Sequence, residues 1–384
     1  MKKVFLHVGA PKTGTSHLQD LLYVNREGLR AKGVLYPADR FDHQFLGAID
    51  LLDKSWGGLE AEAGGAWRWL VQRANGFDGT VILSHEVFAG ATAEQAKAAI
   101  EDLEGEVHLV YSARDLARQI PAEWQEGVKH RRQLTYAKFC ADLRAERPKT
   151  AMAKWFWSVQ HWPDVLARWS GTLPADRVHV LTVPPPDSPR STLMRRFLDL
   201  FEIDESWLPL DSERANVSLG GAETAVIRKI NELLPPDRLE GPVYRRYVRE
   251  VLVHQTLART STTSRIQLPP NLVEWVDETT ERWIGDIDAA GYDVVGDLEE
   301  LQRNGGDEPW YDPDAAPAVD QLRVAYDAIE VLLREIARLE SDRPGPEQAP
   351  TRRQRLKHRL VAAAGRWRVM GWALRGYRRL RRRR

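Results

Sequence analysis

The chain has 384 residues, 43% of them hydrophobic, which is enough to bury a substantial core. Its one cysteine, Cys140, excludes an internal disulfide framework and a zinc site built on cysteines. The formal net charge of zero hides an asymmetry, because residues 351–384 hold thirteen arginines and one lysine without an acid, leaving 41 bases against 55 acids elsewhere. The composition therefore predicts an acidic folded body with a strongly basic tail.

Four short β-branched runs predict buried strands at 4–8, 80–83, 107–111 and 178–183. Segments with helical spacing separate these runs, a pattern typical of a parallel sheet with helices on its faces. We expect a short helix at 93–104, a longer and mostly helical stretch at 117–144, and mainly helices from 191 to about 288. The predicted fold class is α/β: a parallel sheet flanked by helices with a P-loop-like phosphate site, plus a C-terminal helical extension.

Composition also predicts the boundaries of the domains. A folded domain is expected at 1–301, a first linker rich in glycine, proline and acids at 302–317, a helix at 318–341, a second linker at 342–350 and the basic tail at 351–384. In the predicted helix, apolar residues alternate at four and three positions over little more than two heptads: Leu322, Tyr326, Ile329, Leu333 and Ile336. This is shorter than a coiled coil normally requires, and it leaves oligomerisation through 318–341 open.

The sequence begins with two lysines and only five residues before a glycine-bearing turn, which is too short for the apolar region of a signal peptide. No run approaches the roughly 18 apolar residues of a membrane-spanning helix. We therefore expect a cytoplasmic protein.

The first predicted strand runs directly into a glycine-bearing loop at 9–16, with the sequence GAPKTGTS, and a helical pattern follows it. A strand, such a loop and a helix N-terminus together form an anion site, because free N–H groups and the positive end of the helix dipole converge there. The two glycines have the spacing of a Walker A loop, but Lys12 lies inside the loop and Thr15 follows the second glycine. This difference makes a kinase or triphosphatase less favoured.

The stretch HVGAPKTGTSHLQDLL resembles the 5′-phosphosulfate loop of the sulfotransferase family, whose core P-K-[TS]-G-[TS]-[TS] is matched at 11–16. The resemblance implies 3′-phosphoadenosine 5′-phosphosulfate as the donor of a sulfuryl group, with no metal required. It assigns Lys12 to stabilising charge on the transferred group. It assigns donor binding to the whole loop: Pro11, Lys12, Thr13, Gly14, Thr15 and Ser16.

A second element, the predicted strand that ends in Arg114-Asp115, is similar to the family's strand-Arg-[DN]-helix element. By this resemblance Arg114 would grip the 3′-phosphate of the donor, and a guanidinium suits a dianionic phosphate because it can form paired hydrogen bonds. The family's serine eight residues later is Ala122 in this chain, and Ser112, Arg118 or Gln119 are the candidates to replace its hydroxyl.

The late stretch 214–220 looks like the loop that closes over the nucleotide in bacterial members of the family. The resemblance assigns Asn216 and Ser218 to donor binding. An Asn- and Ser-rich helix start would give the same pattern through capping alone.

Transfer to an acceptor hydroxyl requires in-line geometry, charge neutralisation and a base. The second predicted strand delivers Ser84-His85-Glu86 to the edge of the sheet where the phosphate loop lies. Glu86 is the first candidate for the base, His85 the second and His43 the third. Capping by Glu86 and a core position for His85 are the structural alternatives.

Tryptophans crowd one predicted helix, at Trp155, Trp157, Trp162 and Trp169. They could line an acceptor pocket, although their helical spacing favours packing in the core. The acceptor itself, whether a carbohydrate, a lipid or another small molecule, does not follow from the sequence.

The expected function is thus transfer of a sulfuryl group to a hydroxyl acceptor by in-line displacement. Two alternatives from other classes stay open: a P-loop kinase-like phosphotransferase, and a non-catalytic nucleotide-binding membrane adaptor.

In the basic tail, apolar residues alternate at four and three positions between the arginines: Leu356, Leu360, Ala363, Trp367, Met370, Leu374 and Tyr377. Such a helix would lie in an anionic membrane surface, which predicts a peripheral protein at the inner face of the membrane. Nucleic acid, or no partner at all, are the alternatives for 351–384.

Overall fold

The computed structural model describes residues 2–56, 58–171, 173–189, 191–210, 218–261, 263–303 and 310–341. Within these residues six parallel strands form one sheet in the order β2-β3-β1-β4-β5-β6. The strands are β1 (Lys3–Gly9), β2 (Val34–Leu35), β3 (Thr80–Ser84), β4 (Glu106–Ala113), β5 (Val178–Thr182) and β6 (Asp293–Val295).

The helices occupy the connections between the strands and the C-terminal part of the described chain. They are α1 (Thr15–Val24), α2 (Arg26–Ala31), α3 (His43–Leu51), α4 (Glu60–Ala63), α5 (Ala66–Asn75), α6 (Ala93–Glu101), α7 (Leu116–Lys129), α8 (Tyr136–Leu143), α9 (Ala151–Gln160), α10 (Trp162–Ser170), α11 (Ser191–Leu200), α12 (Gly221–Leu233), α13 (Gly241–Val243), a π-helix (Tyr244–Leu257), α14 (Ala258–Thr260), α15 (Val273–Ala290) and α16 (Ala318–Ser341). Short 3₁₀ turns are Glu86–Gly90, Ala175–Arg177, Glu205–Trp207, Pro270–Leu272, Leu298–Leu301 and Pro313–Ala315.

Both faces of the sheet are buried. Successive residues of a strand point to opposite sides, so each face of the sheet has its own set of core side chains. Along β1, Val4, Leu6 and Val8 belong to one apolar core, while Phe5 belongs to a second core that includes Leu18 of α1. This two-sided burial explains why the central strands are apolar throughout. The predicted fold class is confirmed.

The four predicted strands are confirmed, but two features differ from the sequence expectation. The edge strands β2 and β6, of two and three residues, were not predicted. The stretch 117–144 is divided into α7 and α8, with Arg131 in a left-handed conformation (φ 69°) at the break. The Thr135 side chain then caps α8 by accepting a hydrogen bond from the Lys138 N–H at 3.3 Å.

The chain divides into two units, 1–328 and 329–384. In the first unit, part of the expected linker 302–317 packs on the body: the ring of Trp310 stacks on Tyr136 with centroids 6.4 Å apart, and the Asp314 carboxylate accepts hydrogen bonds from the N–H groups of Tyr136 and Ala137. Of the second unit, 329–341 is described and forms the end of α16. The predicted second linker 342–350 and the basic tail 351–384 lie outside the described residues.

The helix expected over 318–341 is α16, and its heptad-like apolar side chains are exposed, from 52% for Leu322 to 62% for Tyr326. Among the described residues, no helix combines the length and the hydrophobicity that crossing a membrane requires.

Candidate active site

The phosphate loop lies between β1 and α1, at the carboxyl ends of the strands. Gly14, at the N-cap of α1, has a left-handed φ of 85°, and an added Cβ would lie 2.9 Å from the Leu193 side chain. Gly14 has no side chain to cap α1, so the first N–H groups of the helix can bind another acceptor. Thr13 is buried, and its hydroxyl donates to the Ala10 carbonyl at 2.6 Å, which braces the loop from inside.

Lys12 extends from the loop toward α7, where its Nζ donates to Oε2 of Glu126 at 3.0 Å. Burial alone would lower the pKa of Lys12, but Glu126, and more weakly Glu123 and Glu86, raise it above its usual value. Lys12 is therefore a fixed cation among three carboxylates.

Arg114 directly follows β4, the neighbour of β1 in the sheet. Its Nη1 donates to the Lys12 carbonyl at 2.9 Å, so the two residues predicted to bind the donor are in contact. Burial lowers the pKa of Arg114 to about 10, and the side chain stays charged at neutral pH. The structure thus brings together two residues that are 102 positions apart in the sequence.

The candidates to replace the hydroxyl missing at Ala122 have different positions. Ser112 is buried and shares a 2.8 Å hydrogen bond with Nε2 of His7, and Gln119 donates to the Pro11 carbonyl. Arg118 lines the cleft together with Ala122, although its guanidinium is paired with Asp115. Of the three candidates, Arg118 is the one in the cleft lining.

Glu86 begins the 3₁₀ turn after β3 and faces the loop. Its Oε2 accepts hydrogen bonds from the Thr15 hydroxyl at 3.2 Å and from Gln19 Nε2 at 3.0 Å. Burial would raise the pKa of Glu86, but His85 and these two hydrogen bonds outweigh it and hold the pKa below the usual value. Glu86 is therefore ionised at neutral pH and ties α1 to the end of β3.

His85 lines the same cleft, but its hydrogen bonding restricts its chemistry. Its Nδ1 accepts from the Val87 N–H at 3.2 Å, and burial lowers its pKa. A neutral imidazole that accepts at Nδ1 carries its proton on Nε2. In this tautomer Nε2 is a hydrogen-bond donor and cannot take a further proton without changing tautomer.

Glu123, in the middle of α7, is a functional candidate that the sequence analysis missed. It is buried and lines the cleft, and its Oε1 accepts a hydrogen bond from Gln160 Nε2 at 3.0 Å. Burial raises its pKa to about 7, against the opposing effects of Lys12 and Gln160. A carboxylate that titrates near neutrality is suited to general base chemistry. The sequence signal was the pair of acids at Glu123 and Glu126, three apart and so on one helix face.

Glu126 is the centre of a cluster of basic side chains, in which burial lowers the pKa of His130. Besides Lys12 it has Lys129 Nζ at 3.5 Å, His130 Nε2 at 3.1 Å and Arg249 Nη2 at 3.9 Å. Burial would raise the pKa of Glu126, but these neighbours, Lys12 foremost, hold it well below its usual value. Burial lowers the pKa of Lys129 to about 8.

Other predicted residues lie apart from the cleft or only border it. His43 accepts from the Asp39 N–H and packs on Trp69, outside the cleft lining. Trp162 and Trp169 are fully buried in the core. Ser218 lines the cleft, whereas Asn216 lies outside the described residues.

The two other tryptophans of this region have different surroundings in the structure. Trp157 packs edge to face on Trp275 and Trp283, whereas Trp155 lines the cleft.

The cleft has a volume of about 2220 Å³ and includes the loop residues 11–16 in its lining. Within the described residues, no group of three or more His, Cys, Asp or Glu side chains is arranged to hold a metal ion.

Comparison with known proteins gives one partial structural likeness. A solved structure described as a sulfotransferase from Alicyclobacillus acidocaldarius has 16% sequence identity to this chain and a TM-score of 0.35, and the match covers 63% of this chain and 98% of that one. This identity and this TM-score assign neither an activity nor residue roles to the chain. No family model and no curated protein matches it.

Proposed function

We propose that the chain transfers a sulfuryl group from 3′-phosphoadenosine 5′-phosphosulfate to a hydroxyl group of an acceptor by in-line displacement. The observation that carries this proposal is the hydrogen bond from Arg114 to the Lys12 carbonyl at 2.9 Å, which places both cations at one cleft beside the N-terminus of α1. The two sequence elements that resemble the sulfotransferase family are therefore neighbours in space.

The roles follow from what each group can do. Lys12 neutralises charge that develops on the sulfuryl oxygens and the leaving phosphate, and the N–H groups of Thr15 and Ser16 bind the 5′-phosphate. Arg114 binds the 3′-phosphate through paired hydrogen bonds. No covalent intermediate on the enzyme is needed, by analogy with phosphoryl transfer.

We assign the base to Glu123 in preference to Glu86. Glu86 is already engaged by Thr15 and Gln19, and its lowered pKa makes it a weak base. Glu123 has a pKa of about 7, close to the value at which a general base is most effective. Deprotonated Glu123 would take the proton of the acceptor hydroxyl as its oxygen attacks sulfur.

The test uses the purified full-length protein with donor labelled in its sulfur, a cell extract as the source of acceptors, and no added metal. We expect label in a new product, whose mass is higher by one sulfuryl group. A parallel reaction with ATP labelled in its terminal phosphate should transfer nothing. Transfer from ATP without transfer from the sulfated donor would favour the phosphotransferase, and donor binding without any transfer would favour the non-catalytic adaptor.

A further inference from the structure

The cleft is larger than a nucleotide donor requires. Small-molecule sites ordinarily have volumes of roughly 300–1,000 Å³, whereas this cleft has about 2220 Å³. The excess leaves room for a second large molecule beside the donor, and the side chains that line the cleft indicate its chemistry.

The cleft lining is basic although the body of the protein is acidic. Twelve lining residues are Lys or Arg and five are Asp or Glu, whereas residues 1–350 contain 41 bases against 55 acids. Concave surfaces of one charge sign focus the field and attract ions of the opposite sign. The donor accounts for Lys12 and Arg114, and Arg118, Lys129, Arg249 and Arg303 are paired with carboxylates, so a further anionic ligand must be recognised by other positive side chains of the lining.

Three arginines of the lining are exposed and, among the described residues, have no carboxylate within 4 Å: Arg132, Arg259 and Arg265. Arg131 also has no carboxylate partner among the described residues, but its guanidinium donates to the Leu234 and Leu239 carbonyls and so holds the backbone. An unpaired guanidinium offers a fork of donors that matches a carboxylate or a sulfate.

The π-helix supplies a basic face to the same cleft. Arg245, Arg249 and His254 of the π-helix line it, at spacings of four and five residues, and Arg259 of α14 follows five residues later. In a helix with i to i+5 hydrogen bonds, residues four or five apart lie on one face, and such segments are frequent at functional sites. The unusual helix geometry therefore aligns Arg245, Arg249 and His254 along the cleft.

An aromatic wall adjoins these basic residues. Trp56 contacts Trp155 with ring centroids 5.6 Å apart, Phe45 at 5.7 Å and His130 at 6.1 Å. All four residues line the cleft. Aromatic rings provide flat apolar surface for the C–H faces of sugar rings, whereas arginines bind substituents that are charged.

We propose that the acceptor is an anionic oligosaccharide, whose rings pack on the Phe45, Trp56 and Trp155 wall while carboxylate or sulfate groups bind Arg132, Arg259 and Arg265. The inference rests on the proposed function in calling this ligand the acceptor, but its binding can be measured without turnover. A neutral sugar would use the aromatic wall and leave the unpaired arginines without a role. An uncharged lipid chain would likewise leave these arginines without a partner.

The experiment is calorimetric titration of the full-length protein, saturated with 3′-phosphoadenosine 5′-phosphate so that the donor's phosphate sites are occupied. One probe pair is a galacturonic acid oligosaccharide and its methyl ester, and a second is a sulfated galactan oligosaccharide and its desulfated form. We expect the anionic member of at least one pair to bind tenfold or more tightly than its neutral partner, and added salt to weaken this binding. The preferred pair tells which anion is recognised.

The matched variants locate the binding. Arg132→Ala combined with Arg265→Ala should remove most of the preference for the anionic probe, while Arg68→Ala, an exposed arginine outside the cleft lining, should leave it unchanged. Thermal unfolding checks that the double variant folds, which is expected since neither arginine has an ion-pair partner among the described residues.

Equal affinity for both members of both pairs, or a preference that survives the double variant, would overturn the inference. Binding of the anionic probe in a protein that transfers no sulfur would overturn the proposed reaction and leave the anionic-sugar site standing. Sulfuryl transfer from the donor to an acceptor that carries no charge would overturn the anionic-sugar site and leave the proposed reaction standing.

Discussion

The assignment of Glu123 as the base can be tested by its effect on stability and on rate in the same variant, Glu123→Gln. Glutamine keeps the size of the side chain and can still accept the hydrogen bond from Gln160. It removes only the ionisation. The fold raises the pKa of Glu123 from its usual 4.5 to about 7, and one pH unit corresponds to about 1.4 kcal/mol, so ionisation costs the folded state about 3 kcal/mol.

The sign of the stability effect follows from the direction of the pKa shift. A carboxyl group with a raised pKa in the fold supports folding fully below pH 4.5, and this support is lost as the pH rises through about 7. Glu123→Gln should therefore stabilise the protein, and the gain should be roughly 2–3 kcal/mol larger at pH 8 than at pH 5. Urea unfolding of both proteins at the two pH values measures this difference.

The rate should respond in the opposite way. If Glu123 is the base, kcat/KM for the acceptor at saturating donor rises tenfold per pH unit until the pH reaches the pKa of Glu123 and then levels off. This pKa is about 7 in the structure, and the negative charge of a bound donor would raise it further. Glu123→Gln should lower the rate by roughly 10²–10⁴. A pH profile that is flat from 5.5 to 8.5, with normal turnover in Glu123→Gln and loss in Glu86→Gln, would return the role to Glu86, whose pKa is lowered.

The remaining predictions concern the donor site, α16 and the tail. Lys12→Ala should lower kcat by an amount equivalent to roughly 2–4 kcal/mol, and near-normal kinetics would reject its role. Arg114→Ala should mainly raise the KM for the donor, since the 3′-phosphate does not react. If α16 mediates oligomerisation, Ile329→Asp on its exposed apolar stripe should lower the mass measured by light scattering to that of a monomer. A wild-type protein that is monomeric at high concentration would reject oligomerisation through 318–341. Trp367→Glu should weaken sedimentation with anionic vesicles without changing turnover of a soluble acceptor, and equal sedimentation of both proteins would reject a membrane role for 351–384.

The central strands could be predicted because burial on both faces leaves a continuous apolar run, as in β1 from Val4 to Val8. The edge strands β2 and β6 are too short to show any periodicity. The break between α7 and α8 has neither glycine nor proline at Arg131, and its one local signal is Thr135, the N-cap of α8. Tertiary contacts hold this turn, since the Arg131 guanidinium donates to the Leu239 carbonyl at 2.7 Å.

The same contrast applies to the candidate site. Lys12 and Arg114 directly follow strands, and residues at the carboxyl ends of parallel strands meet at one edge of the sheet. Their proximity could therefore be expected from order along the chain. Glu123 and Glu126 lie within a helix, and their importance depends on how α7 packs against the loop and on Gln160 of α9. No sequence motif encodes that packing.

The arrangement around Lys12 has a consequence for how the proposed donor would bind. Lys12 is paired with Glu126, and in the proposed reaction the phosphosulfate would take over this cation. Breaking a buried ion pair is costly when it leaves one charge without a partner. Glu126 would keep Lys129, His130 and Arg249 after losing Lys12, so its charge stays compensated. The shared carboxylate can thus hold Lys12 in position for the proposed donor and release it at low cost.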